Sequence, residues 1–250
     1  MSPEKIIKLQ AKERFKRAGF AKPLIGLSVI TIAFMITEYI SYTLYSVADM
    51  VSDENLNFIL QVVAGSVTII CALLLSPIIL GYIKMLSTEK PCYDIADLSY
   101  FFTDFNRYCK AVAFVFSYLL RLLIPAVLFS LPVVAVILID KATPIPAKQY
   151  VIITLCVLSA LAVLVYSTKF FASAVLFCET QNAPLNLYFK ISKIVMNGKT
   201  NNAVKLTLSF FPWFLLCVTV MPLLYVLPYF TQAMCISSNW LVQLSRNEIK

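Results

Sequence analysis

The chain has 250 residues, 60% of them hydrophobic and 14% charged, with a mean hydropathy of +0.82 and a formal net charge of +8. Soluble domains carry about 45–50% apolar residues, so the composition excludes an ordinary soluble globule. Uncharged runs of about 20 residues match bilayer-crossing helices rather than the ~10-residue alternating segments of a barrel. The expected fold is therefore all-α, a polytopic transmembrane helical bundle.

The first 23 residues hold seven Lys or Arg. They precede an apolar run over 24–45 that is longer than a signal-peptide core, so an uncleaved first span is expected. A second span is expected over 57–83. Its Gly65-Ser66 pair offers one small patch for close helix packing, and Pro77 lies near its end. The next loop contains "DIADLSYFFTDFNRYC", in which Ile95, Leu98, Phe102, Phe105 and Cys109 recur at helical spacing. This spacing predicts an interfacial helix near 94–108, with Asp94 as its N-cap.

Spans three and four are expected over 111–139, with Pro125 and Pro132 as kinking residues, and over 150–178. A second interfacial helix is predicted near 184–197. Asn186, Lys190, Lys193 and Asn197 share one of its faces, and Leu187, Ile191, Ile194 and Val195 share the other. Pro184 suits its first turn and Gly198 its end. Between Lys205 and Arg246 lie 40 uncharged residues, about 60 Å of helix against a hydrocarbon core about 30 Å thick. One span cannot absorb that length. Two readings fit it: a hairpin turning at Met221-Pro222, with spans near 203–221 and 223–243, or one span followed by a surface helix. The basic tail favours the hairpin, giving six spans.

Charge sets the orientation. Lys84, Lys90, Arg107 and Lys110 lie in the 84–110 loop, and Lys190, Lys193, Lys199 and Lys205 lie between 179 and 205. The 46–56 loop carries Asp49, Asp53 and Glu54 and no base. The positive-inside rule puts the N-terminus, both basic loops and, through Arg246 and Lys250, the C-terminus in the cytoplasm. The basic excess then faces anionic lipid rather than nucleic acid.

Three ionisable residues fall within the expected spans: Glu38, Arg121 and Lys169. They form the candidate intramembrane polar site, either paired between helices, snorkelling, or binding an anionic ligand or lipid headgroup. There is no histidine, which removes the commonest general base and metal ligand. No P-loop, G-x-S-x-G, H-E-x-x-H or paired-carboxylate signature occurs. The seven cysteines form no C-x-x-C pair, so neither a zinc site nor a disulfide framework is suggested. No catalytic residue, metal or cofactor is expected.

"SKIVMNGKTNNAVKLTLSFFPW", followed by "LPYFTQA", resembles the last third of a family of uncharacterised bacterial integral membrane proteins of about six helices. The matching positions are Ser192, Met196 and Gly198; Leu208, Ser209, Phe210 and Trp213; and Pro228 and Tyr229. Upstream, Pro77 with Gly81-Tyr82, and Phe102 with Phe105, fit the same pattern. The sequence departs from it at Pro212, where the family has glycine, and at Lys169, where it tends to have arginine; the Pro-Gly-Ile segment before the fourth helix is missing. The family's membrane region is distantly similar to that of some glycerophosphodiester phosphodiesterases, whose catalytic domain has no counterpart here. The resemblance implies a bacterial cytoplasmic membrane protein without an assigned activity. The sequence reading is thus a non-enzymatic scaffold, assembly or protective factor. Its partners would be the bilayer, anionic headgroups or another membrane protein. The alternative is a small permease or lipid-handling component using Glu38, Arg121 and Lys169.

Overall fold

A backbone in lipid has only itself to hydrogen-bond with, and every regular element of this chain is helical, with no strand among the described residues. The structure is a computed structural model and describes residues 3–51, 53–88, 92–142, 148–180, 183–216 and 220–248. Helix α1 (Pro3–Ala18) ends at Gly19, whose φ of +83° turns the chain into α2 (Ala21–Asp49). Asp53 caps α3 (Glu54–Leu75) by accepting from the Asn55 and Leu56 amides. Asp49 accepts from Gln61 Nε2 at 3.1 Å, tying the end of α2 to α3. At Ser76 the helix stops, and Pro77 begins α4 (Pro77–Ser87).

The predicted helix near 94–108 is corrected here. Its place is taken by a single turn, α5 (Ala96–Ser99), then a 3₁₀ turn (Tyr100–Phe102), and α6 begins only at Phe105. Two aspartates explain the break: Asp94 accepts from the Ala96 amide at 3.0 Å, and Asp104 from the Asn106 amide at 3.1 Å. Each starts its own helical segment. The tighter 3₁₀ turn also shifts the phase, so Phe101 is buried while Ile95, Phe102, Phe105 and Cys109 are exposed.

Helix α6 (Phe105–Ala142) passes through Pro125 and Pro132, and α7 (Lys148–Ser167) returns beside it. Ser159 Oγ donates to the Phe129 carbonyl at 2.6 Å, in the turn before Pro132. The same hydroxyl also reaches the Leu155 carbonyl of its own helix at 2.8 Å, so Ser159 links α7 to α6 near the proline. A 3₁₀ turn (Thr168–Phe170) then leads to α8 (Ser173–Glu179), α9 (Leu185–Met196), α10 (Thr200–Leu208), α11 (Phe211–Leu216) and α12 (Val220–Glu248).

Among the described residues, four helical stretches are long and apolar enough to cross a membrane: Ala21–Asp49, Glu54–Ser87, Phe105–Ile139 and Gln149–Glu179. They form two hairpins, α2 with α3 and α6 with α7, whose residues are mostly exposed to the surroundings. The core lies at the end of the hairpins away from Asp49 and Glu54 and from Ala142 and Lys148. There Phe114 stacks on Phe177 and Phe189 at 4.4 and 5.1 Å, and α1, α4, α8 and α9 pack against α12.

The turn predicted at Met221-Pro222 is also corrected, since both residues lie in the first turn of α12. Proline is tolerated there because the first amides of a helix have no internal acceptor. The expected fifth span breaks at Ser209-Phe210 into α10 and α11, nine and six residues long. Residues 217–219, within that expected span, lie outside the described residues.

Candidate functional site

The three ionisable residues do not meet. Glu38 is exposed on α2, and among the described residues it forms no ion pair with Arg121 or Lys169. Arg121 and Lys169 instead both reach α9. The Arg121 guanidinium donates to Asn186 Oδ1 at 2.8 Å and to the Ser117 carbonyl at 3.1 Å, and lies 3.9 Å from the centre of the Phe189 ring. The Lys169 ammonium sits 5.1 Å from the Tyr166 ring, while its carbonyl accepts from Ser192 Oγ at 3.0 Å.

α9 explains these contacts. It buries Tyr188, Phe189, Ser192, Val195 and Met196 and leaves Asn186, Leu187, Lys190, Lys193 and Ile194 outside. Half of the predicted apolar face packs inward: Val195 is buried and Ile191 lies against the core, whereas Leu187 and Ile194 are exposed and Ser192 is sealed in the core. Counting apolar residues turned the helix too far because the two aromatic residues and Ser192 define the packed side. The helix ends at Asn197-Gly198, and Gly198 takes a φ of +72°. Beside it a cleft of about 340 Å³ is lined by Lys169, Lys193, Ile194, Met196, Asn197 and Thr200.

A second cleft, about 480 Å³, lies between α4 and the start of α6. Lys84, Arg107, Lys110, Asp104 and Glu179 line it with Tyr100. Lys84 Nζ lies 2.7 Å and Arg107 Cζ 4.7 Å from the centre of the Tyr100 ring, and Arg107 also pairs with Asp104 at 3.7 Å. Among the described residues no group of three Cys, Asp or Glu gathers as metal ligands would.

The positions that carry the sequence resemblance divide between core and surface. Ser192, Met196 and Phe210 are buried, Pro228 is buried inside α12, and Leu208 and Trp213 are exposed. Phe210 and its neighbours converge on Lys8, which the sequence reading missed. Lys8 Nζ donates to the Ser209 carbonyl at 2.9 Å and lies 4.2 Å from the Phe210 ring, and Tyr229 donates its hydroxyl to the Lys8 carbonyl at 3.0 Å. Burial lowers the Lys8 pKa, with Glu4 opposing the shift. The only signal in the sequence is that Ile7, Ala11 and Phe15 share the face of α1 that packs inward.

Also unanticipated was a buried polar chain where α4 ends. Tyr93 donates its hydroxyl to Gln232 Oε1 at 3.1 Å; Gln232 Nε2 donates to the Leu86 carbonyl at 3.2 Å, and Asn239 Nδ2 to the Ser87 carbonyl at 3.4 Å. The last carbonyls of α4 lack intrahelical partners, and α12 supplies them. Burial pushes the Tyr93 hydroxyl up to about 12, against the lowering influence of Arg14. This chain holds α4 and α12 together and has no reactive group poised for chemistry.

No family model, no curated protein and no solved structure matches the chain.

Proposed function

We propose that this is a non-enzymatic integral membrane scaffold, anchored by the hairpins α2–α3 and α6–α7 and presenting a packed helical head at the cytoplasmic surface. The observation that carries the reading is the division of the chain: two apolar hairpins with almost nothing buried, against a head closed around α12. Twenty residues of α7 span about 30 Å, the thickness of the hydrocarbon. Lys169 follows directly, and Arg121 lies a similar length from Ala142, so both fall at the inner edge of the bilayer rather than within it. Glu38 alone remains deep, near the middle of α2.

Four spans are proposed in place of six. An even number keeps both termini cytoplasmic and puts the three most basic segments on one side, with Lys141 and Lys148 on the other. α12 is not the sixth span: it carries Gln232, Ser237, Ser238 and Asn239 and packs in the core. The bacterial cytoplasmic membrane and the family membership remain part of the same proposal, supported by the signature positions gathered in the head.

The permease reading is less well supported, since no described cleft joins Glu38, Arg121 and Lys169. Photo-crosslinking from Phe58, Ile69 and Phe116, all exposed on the hairpins, distinguishes the two. Discrete protein adducts from native membranes are expected. Solute flux through the reconstituted protein that disappears with Glu38→Gln would overturn the scaffold.

A further inference from the structure

The cleft between Lys169 and the turn from α9 to α10 is an unusual place to put two positive charges. It is lined by Lys169, Lys193, Ile194, Met196, Asn197 and Thr200, with no carboxylate among them. Among the described residues neither lysine forms an ion pair. By contrast, the larger cleft at Lys84 contains Asp104 and Glu179 and so supplies its own counter-charge. At about 340 Å³ the first cleft lies within the range of small-molecule sites, roughly 300–1,000 Å³.

Its walls are of two kinds. The ammonium groups of Lys169 and Lys193 and the amide of Asn197 are donors. Thr200 donates its own hydroxyl to the Met196 carbonyl at 3.0 Å, so the donors for an anion are the two ammonium groups and the Asn197 amide. Thr200 also opens α10, whose first turn has no acidic residue, so the positive end of the helix dipole is uncompensated there. The remaining wall is aliphatic, from Ile194 and Met196. Donors for an oxyanion beside an apolar strip match an amphiphile whose phosphate is attached to acyl chains.

We propose that this cleft binds the phosphate of an anionic phospholipid headgroup of the inner leaflet, with Lys169 and Lys193 as its two cations. The proposal rests on the reading of α7 as a span, which places Lys169 where headgroups lie. Ser192 fixes the geometry from behind, because its hydroxyl bond to the Lys169 carbonyl ties the 3₁₀ turn to the α9 backbone. The lipid would then bridge the α6–α7 hairpin and the head at the point where the chain passes from one to the other.

The test is native mass spectrometry of the full chain released from nanodiscs of phosphatidylglycerol or of phosphatidylcholine, counting retained lipids. A juxtamembrane lysine contributes about fivefold in anionic-lipid affinity, so Lys169→Gln with Lys193→Gln should weaken retention of phosphatidylglycerol roughly 25-fold. Retention of phosphatidylcholine should not change, and the paired Arg substitutions should preserve binding. The variant Lys12→Gln with Lys16→Gln removes the same charge from exposed positions on α1 and should have little effect. Equal loss in that control, or unchanged retention in the cleft variant, overturns the proposal. Displacement by soluble glycerol phosphate at equal concentration would reassign the site to a free phosphate ester and likewise overturn the lipid source. Thiol labelling at Gln149→Cys, with the exposed Cys92, Cys109 and Cys156 replaced, tests the α7 span separately: labelling from the cytoplasm would mean that α7 does not span, whatever the lipid result.

Discussion

Gly81→Ala should be the most damaging single-methyl change in the head. A Cβ at Gly81 would lie 2.8 Å from the Leu98 carbonyl carbon and 3.0 Å from the Asp97 carbonyl oxygen, with the Leu98 oxygen nearer still. These are backbone atoms, so no rotamer relieves the contact and α5 must move away from α4. Overpacking of this kind costs about 1–3 kcal/mol, and the helix preference of alanine over glycine returns at most about 1 kcal/mol. Because the obstruction is backbone, the upper half of the range applies, and a net loss of about 2 kcal/mol corresponds to roughly 4–8 °C in melting temperature for a chain of this size.

Two other glycines supply the comparison. At Gly26 the obstruction is the Tyr82 ring at 2.9 Å, a side chain that can tilt; at Gly65 it is only the Tyr45 hydroxyl at 3.0 Å. Thermal unfolding of detergent-purified variants, followed by size-exclusion chromatography, should therefore rank Gly81→Ala as least stable, Gly26→Ala as intermediate and Gly65→Ala as close to the parent. If Gly81→Ala melts at or above Gly65→Ala, the packing of α5 on α4 is misassigned.

The other expectations concern polar groups, pH and thiols. Tyr93→Phe leaves Gln232 Oε1 buried without its donor and should cost about 1–3 kcal/mol; a double-mutant cycle with Gln232→Leu should give a coupling of about 1 kcal/mol, and zero coupling would dissolve the pair. The Tyr93 pKa is raised on folding, so the native state holds its proton longer than the unfolded chain. Stability should therefore be complete below pH 10 and fall as pH rises toward 12. Tyr93→Phe should flatten that decline, and an unaltered alkaline profile would contradict the assignment. In membranes a water-soluble maleimide should modify Cys92 and Cys109, which are exposed, while Cys178 and Cys235 react only on unfolding. Cys156 is exposed but lies on α7, so it should stay unreactive in the bilayer and become reactive in a mild detergent that admits water. Modification of Cys156 in intact membranes would remove α7 from the hydrocarbon.

What was legible in the sequence followed from properties of single segments. Runs such as 57–83 and 150–178 announced helices by their length, Gly198 fulfilled the helix-ending role its backbone freedom suggests, and acidic and basic loops alternated. What was not legible depended on partners distant in the chain. Lys8 finds Ser209 and Tyr229, and Tyr93 finds Gln232, across separations that no local pattern encodes. The polar contacts of α12 were equally invisible: its composition resembles a span, yet Gln232 and Asn239 serve the carbonyls of α4. Nor does the sequence reveal that α7 ends at Ser167 and that the apolar residues after it pack in the core. Of the candidate site, the residue types were visible, but the convergence of Arg121 and Lys169 on α9, and the separation of Glu38 from both, were not.

The topology of the last 40 residues before the tail tests the account most directly. With four spans, Tyr225 lies in the cytoplasmic head together with Ser245. In a six-span chain Tyr225 sits near an outer turn. Membrane-impermeant thiol labelling of Tyr225→Cys and Ser245→Cys, with the exposed Cys92, Cys109 and Cys156 replaced, should modify both positions in inverted vesicles and neither in intact cells. Modification of position 225 from outside intact cells would contradict the cytoplasmic head and restore the outer turn.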